Sequence, residues 1–168
     1  MVEEQLAQLE DTLVSEFRIL QSLINITQKE SSALLKGNHS ILMPILEDKE
    51  TLLDQLNSME DAREKISAAL GDAFGLYAKP TTIRSLLPYV EKDQAGRFQR
   101  LCDGILALGT QQKELNLNVN TLAQSWIDMI HSTQAYLLSF YQAPATYQPP
   151  GNRGNQHVMP VYATEHRA

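Results

Sequence analysis

A single cysteine, Cys102, leaves no internal disulfide to form, so a reducing compartment such as the cytosol is expected. Basic side chains are in deficit. The 14 Lys and Arg against 20 Asp and Glu give 168 residues a net charge of -6, the wrong sign for a nucleic-acid binder. The start, Met1 to Leu9, has Glu3 and Glu4 where a secretory signal needs a basic start and an apolar run. No window of about 18 residues is free of polar groups, so no membrane insertion is expected. The nearest candidate, Leu115 to Tyr141, is broken by Asn116, Asn118, Asn120, Gln124, Asp128 and His131. β-branched aliphatics are scarce. The 16 Val and Ile against 24 Leu disfavour a parallel sheet and favour helix.

Catalytic signatures are missing too. There is no Gly-rich phosphate loop and no G-x-S-x-G. Cys102 and His131 on one straight helix would lie about 43 Å apart, so they could meet as nucleophile and base only between subunits. His39, His131, His157 and His166 show no metal-ligand spacing. The expectation is a protein that is not an enzyme and holds no cofactor or metal.

What is present is helical periodicity between prolines. Leu6, Leu9, Leu13, Phe17, Leu20, Ile24 and Leu34 recur at three- and four-residue steps, predicting a helix over about 3–36. Gly37-Asn38 reads as its stop. A second helix, about 40–70, has Ser40 as its expected cap and Pro44 in its first turn. The short connection favours an antiparallel hairpin. Lys79-Pro80 breaks the chain, and Thr81-Thr82 is expected to cap a short turn ended by Pro88.

The longest helix is expected over about 93–141. Phe98, Leu101, Ile105, Leu108, Gln112, Leu115, Val119, Leu122, Trp126, Met129, Thr133, Tyr136 and Phe140 form a heptad seam without a slip. At 1.5 Å per residue it would extend roughly 73 Å. The predicted fold is all-α, an elongated antiparallel helical hairpin and coiled-coil bundle of three main helices over 1–142. Residues 143–168, with four of the seven prolines, read as a flexible tail.

One stretch is unusual. From Leu115 to Tyr141 the only formal charge is Asp128. Ile127, Ile130, Gln134, Leu137 and Tyr141 trace a second stripe beside the seam, and Leu138 widens it. One hairpin covers one stripe, so a second stripe needs another partner. Two readings stand at this point. Both stripes are buried in a bundle core, within the chain or in a homodimer. Or they form a docking face for an apolar helix of another protein, with the asparagines as uncharged hydrogen-bonding groups.

The segments resemble, in order over most of residues 6 to 151, the FlgN family of flagellar type III export chaperones. Glu30 and Leu34 before Gly37, then Glu47-Asp48-Lys49-Glu50-Thr51-Leu52-Leu53-Asp54-Gln55-Leu56, are similar to the family's N-terminal hairpin. Glu114-Leu115-Asn116 followed by Leu122 resembles its Leu-Asn-x-x-Asn-x-x-Leu-Leu signature, with Val119 where the second Asn falls. Tyr147-Gln148-Pro149-Pro150-Gly151 resembles its tail motif. The resemblance implies a cytoplasmic, non-enzymatic chaperone. Its clients would be the C-terminal helices of the hook–filament junction proteins, hook-associated proteins 1 and 3, kept from premature assembly and delivered to the export gate. Carried over by position, the client face is Leu122, Trp126, Ile127, Met129, Ile130, Leu137, Leu138, Phe140 and Tyr141, and Tyr147 contacts the gate. A self-assembling structural coiled coil, or an adaptor without a secreted client, is the alternative.

Overall fold

The computed structural model describes residues 2–76 and 81–142, with side chains up to 140. The expected tail, its Tyr147 and the side chain of Tyr141 lie outside the described residues. Every regular element described is helical: α1 (Val2–Leu35), α2 (Leu42–Ala73), α3 (Ile83–Leu86) and α4 (Lys92–Gln142). Met1–Asp128 forms one compact unit, and the residues from Met129 onward belong to a second.

Helix α1 ends as its glycine dictates. Gly37 adopts φ 62°. Its N–H donates to the Leu34 carbonyl (3.0 Å), and the Asn38 N–H reaches back to that of Ala33 (3.0 Å), which closes the last turn. Gly75 (φ 69°) ends α2 the same way, the Leu76 N–H donating to the Gly71 carbonyl (2.8 Å). Thus α2 runs past the expected stop at Leu70. Gly71 stays inside the helix and lies against the Thr81 side chain, where a Cβ has no room.

Ser40 does not cap α2. It sits in a 3-10 turn, His39–Ile41, and its hydroxyl donates to Asn38 Oδ1 (2.8 Å), so α2 starts two residues later with Pro44 still in its first turn. Thr82 does cap α3, in a reciprocal box with Ser85.

In the first unit α1 and α2 form an antiparallel hairpin, and α4 runs alongside parallel to α1. One core joins Leu6, Leu9 and Leu13 to Leu70 of α2, Ile83 and Leu86 of α3, and Phe98 of α4. A second joins Leu20, Leu23, Ile26 and Ala33 to Ile45, with Leu52 and Leu56 packed beside them. Ile105 of α4 touches both. The first half of the heptad seam is therefore the face α4 buries, as its spacing requires.

The two glycines within α4 differ. A Cβ at Gly104 would stand 2.8 Å from the Phe17 ring, so its absence lets α1 approach α4. A Cβ at Gly109 would meet nothing within 4 Å. Gly109→Ala is expected to raise unfolding free energy by about 0.5–1 kcal/mol, the helix-interior difference between the two residues. Gly104→Ala forfeits that gain to the displaced ring. Urea titrations of the two variants compare them directly.

Candidate helix-binding surface

Three polar layers cross the first unit, and two of them fix the register of α4 on the hairpin. Glu16 of α1, only 3% exposed, accepts from Arg63 Nε of α2 at 2.8 Å. Lys49 of α2 donates from Nζ to Glu30 Oε2 (2.7 Å) and to Asn116 Oδ1 of α4 (2.9 Å), linking all three helices. Gln112 of α4, buried in the seam, donates from Nε2 to Thr27 Oγ1 of α1 (2.8 Å). Burial pushes the Glu16 carboxyl above its ordinary value, and the Arg63 hydrogen bond and charge oppose that. A buried polar layer of this kind stabilises little by itself but admits one register.

The last anchor of α4 in this unit is Trp126. Its indole Nε1–H donates to the Leu34 carbonyl at 2.9 Å, and its ring stands edge-on to His39 with centroids 5.1 Å apart. A Cβ on Gly37 would come 3.3 Å from Trp126 Cη2. Gly37 therefore serves twice, in its left-handed turn and under this ring. Gly37→Ala is expected to lower stability by roughly 1–2 kcal/mol from the backbone alone, read as a shifted urea midpoint.

Beyond Trp126 the pattern changes. Every described side chain from Ile127 to Phe140 is exposed. Ile127, the second stripe's first residue, is 46% exposed in the first unit. In the second unit Ile130 is 48% and Leu137 52% exposed, and Met129, Tyr136, Leu138 and Phe140 are likewise open. Tyr136 and Phe140 pack only edge-to-face on one another, centroids 4.7 Å apart. Side chains this open on a helix have no covering neighbour among the described residues. Burial of both stripes, one of the two readings of the sequence, is not seen among the described residues.

The nine residues expected on a client face thus fall into groups. Leu122 and Trp126 are half-buried in the first unit, Trp126 bound to the hairpin tip. Ile127, Met129, Ile130, Leu137, Leu138 and Phe140 are exposed. Tyr141 has no described side chain. Asn116, expected among the free hydrogen-bonding groups, is spent on Lys49, whereas Asn118 and Asn120 are exposed. The Lys49–Asn116 bond joins positions 67 apart, which no local spacing rule reaches. A positive residue four ahead of Leu53 in an acidic run was the only available hint.

Among the described residues no helix is long and apolar enough to cross a membrane. No curated protein and no solved structure matches the chain. The family model described as FlgN protein does match, over residues 1–155, and the chain belongs to the FlgN family of flagellar export chaperones.

Proposed function

We propose that this chaperone acts in the cytoplasm, without catalysis, on the C-terminal helices of hook-associated proteins 1 and 3. It covers them until they are delivered to the export gate. The observation that supports this reading is the run of exposed side chains from Ile127 to Phe140, with its large apolar members at helical spacing. Such a face suits the helix-in-groove mode, in which an amphipathic partner lays its apolar stripe against another. Asp128 is the only formal charge between Leu115 and Tyr141, so covering the face desolvates few ions.

The chemistry also suits release. A client that assembles through helical termini must be kept from polymerising and then let go. Apolar burial against a helix with few fixed polar contacts is non-directional, and the association cost takes much of its gain, so affinity stays moderate. The client face comprises Leu122, Trp126, Ile127, Met129, Ile130, Leu137, Leu138, Phe140 and Tyr141, with Trp126 tying its near end to the hairpin tip.

Size-exclusion chromatography of the full chain with a C-terminal fragment of hook-associated protein 1 or 3 tests the reading. A one-to-one complex is expected. Failure of both fragments to co-elute, with light scattering showing mass that grows with chaperone concentration, would favour a self-assembling coiled coil. Tyr147 is assigned to the gate. Tyr147→Ala is expected to lower client export several-fold and leave fragment binding unchanged; equal export in both strains would remove the assignment.

A further inference from the structure

We propose that the groove between α1 and α2, on the face of the hairpin that α4 leaves open, is a docking site for an acidic amphipathic helix of a partner protein. The proposal goes beyond the client reading and uses none of the client-face residues.

The groove starts from a row on α1. Arg18, Ser22, Asn25, Lys29, Ser32 and Lys36 follow one another at alternating four- and three-residue steps, so they share one side of the helix. All six are exposed. No carboxylate interrupts the row, in a chain whose net charge is -6. Among the described residues neither Lys29 nor Lys36 forms an ion pair; the salt bridges present engage Lys49, Arg63 and Arg97. The helix dipole accounts for only one of these cations. Lys36 stands just past the α1 terminus at Leu35, whereas Lys29 and Arg18 lie further back than the last turn, where the dipole acts.

Opposite the row stands α2. Two clefts, of about 620 and 390 Å³, run between the helices and share Asn25 and Lys29. Ile41 and Ile45 line the first, Asp48 and Leu52 the second, and no α4 residue lines either. Ile41 is 43% exposed, so the groove offers apolar surface beside its cations.

That lining selects the occupant. A helix laid in the groove would set apolar residues on Ile41 and Leu52. It would set carboxylates seven residues apart against Lys29 and Lys36, which are themselves seven apart, about 10 Å along the axis. Asp48, on the opposite wall, calls for a donor or cation toward one end of that helix, which gives it a direction. A bilayer fits less well. A membrane-binding helix carries large apolar side chains among its cations, and here Ser22, Asn25 and Ser32 hold those places.

The test is fluorescence anisotropy of the full chain with a labelled helical peptide that has leucines in heptad register and a glutamate at every seventh residue. A peptide of the same composition in scrambled order is the control. The amphipathic peptide is expected to bind about tenfold or more tightly than the scrambled one, with affinity falling as salt rises. Lys29→Glu/Lys36→Glu, on exposed side chains with no ion pair to lose, is expected to weaken it about tenfold or more. Lys65→Glu/Arg100→Glu makes the same change of charge at exposed positions outside the groove and should leave binding within about twofold. Circular dichroism checks that helicity is unchanged. No binding of the amphipathic peptide, equal weakening by both double variants, or none by the first, would overturn the proposal. So would binding to phosphatidylglycerol vesicles in place of the peptide, or a dimer in light scattering that Lys29→Glu/Lys36→Glu dissociates. Those results would give the groove to a membrane or to a second copy of the chain.

Discussion

Ile130→Asp is expected to reduce affinity for the client fragment by 100-fold or more while leaving the folded chain as helical and as stable as wild type. The two halves of that expectation come from different places. Ile130 is 48% exposed and lies beyond the first unit, so none of the described packing relies on it. Replacing it on a solvated helix costs only the propensity difference, about 0.3–0.7 kcal/mol locally. In a complex the same position is covered by an apolar partner helix. There a carboxylate must be desolvated without a counter-charge, at several kcal/mol. Titration calorimetry reads the affinity and circular dichroism the helicity. Trp126→Asp is a poorer variant for this purpose, because it also breaks the hydrogen bond to the Leu34 carbonyl and unpins α4 from the hairpin tip.

Arg63→Ala is expected to produce a large loss of stability. Glu16 lies in the interior of the first unit, and its Oε1 has Arg63 Nε as its partner at 2.8 Å. Removing that partner leaves a buried carboxylate uncompensated. The cost is roughly 2–4 kcal/mol, toward the lower end because the Arg63 side chain is itself partly solvated. The pH dependence identifies the cause. Glu16 already has a folded-state pKa above its ordinary value through burial, with Arg63 holding it down. Without Arg63 it rises further. In the window between the unfolded and folded values the folded chain holds the extra proton, so stability increases as pH falls through that window. The deficit of Arg63→Ala is therefore greatest at neutral pH and shrinks on mild acidification. The double change Glu16→Leu/Arg63→Met should recover most of the loss, as apolar replacements of buried ion pairs do. Urea unfolding at neutral and mildly acidic pH measures both.

Much of the fold was legible because helices carry local signals. Gly37 supplies a left-handed stop wherever it falls after a periodic run, and α1 ends at Leu35 as that predicts. Thr82 caps α3 through a bond three residues away, within reach of a sequence window. The start of α2 was harder. Ser40 has the chemistry of a cap, but the turn closed by Gly37 places its hydroxyl against Asn38 instead. The end of α2 lies at the second glycine, Gly75, whose left-handed turn closes it, while Gly71 packs on Thr81 across the break between α2 and α3.

The candidate site divides along the same line. That α4 has more apolar surface than its own hairpin covers was readable from two adjacent stripes. Where the cover stops was not. The limit is set by Trp126 reaching the α1 terminus, and that depends on the length of α1 and the parallel register of α4, neither of which periodicity specifies. Asn116 and Gln112 looked like polar interruptions of a seam. They are partners of Lys49 and Thr27 in layers that hold that register.

Amide hydrogen exchange over residues 127–140, with and without the client fragment, tests the central claim most directly. In the free chain no described neighbour covers this stretch of helix, so its amides should exchange much faster than those of residues 98–122. Saturation with the fragment should slow exchange by tenfold or more across 127–140. Strong protection there in the free monomer, or a bound fragment that leaves their exchange unchanged, would contradict the account.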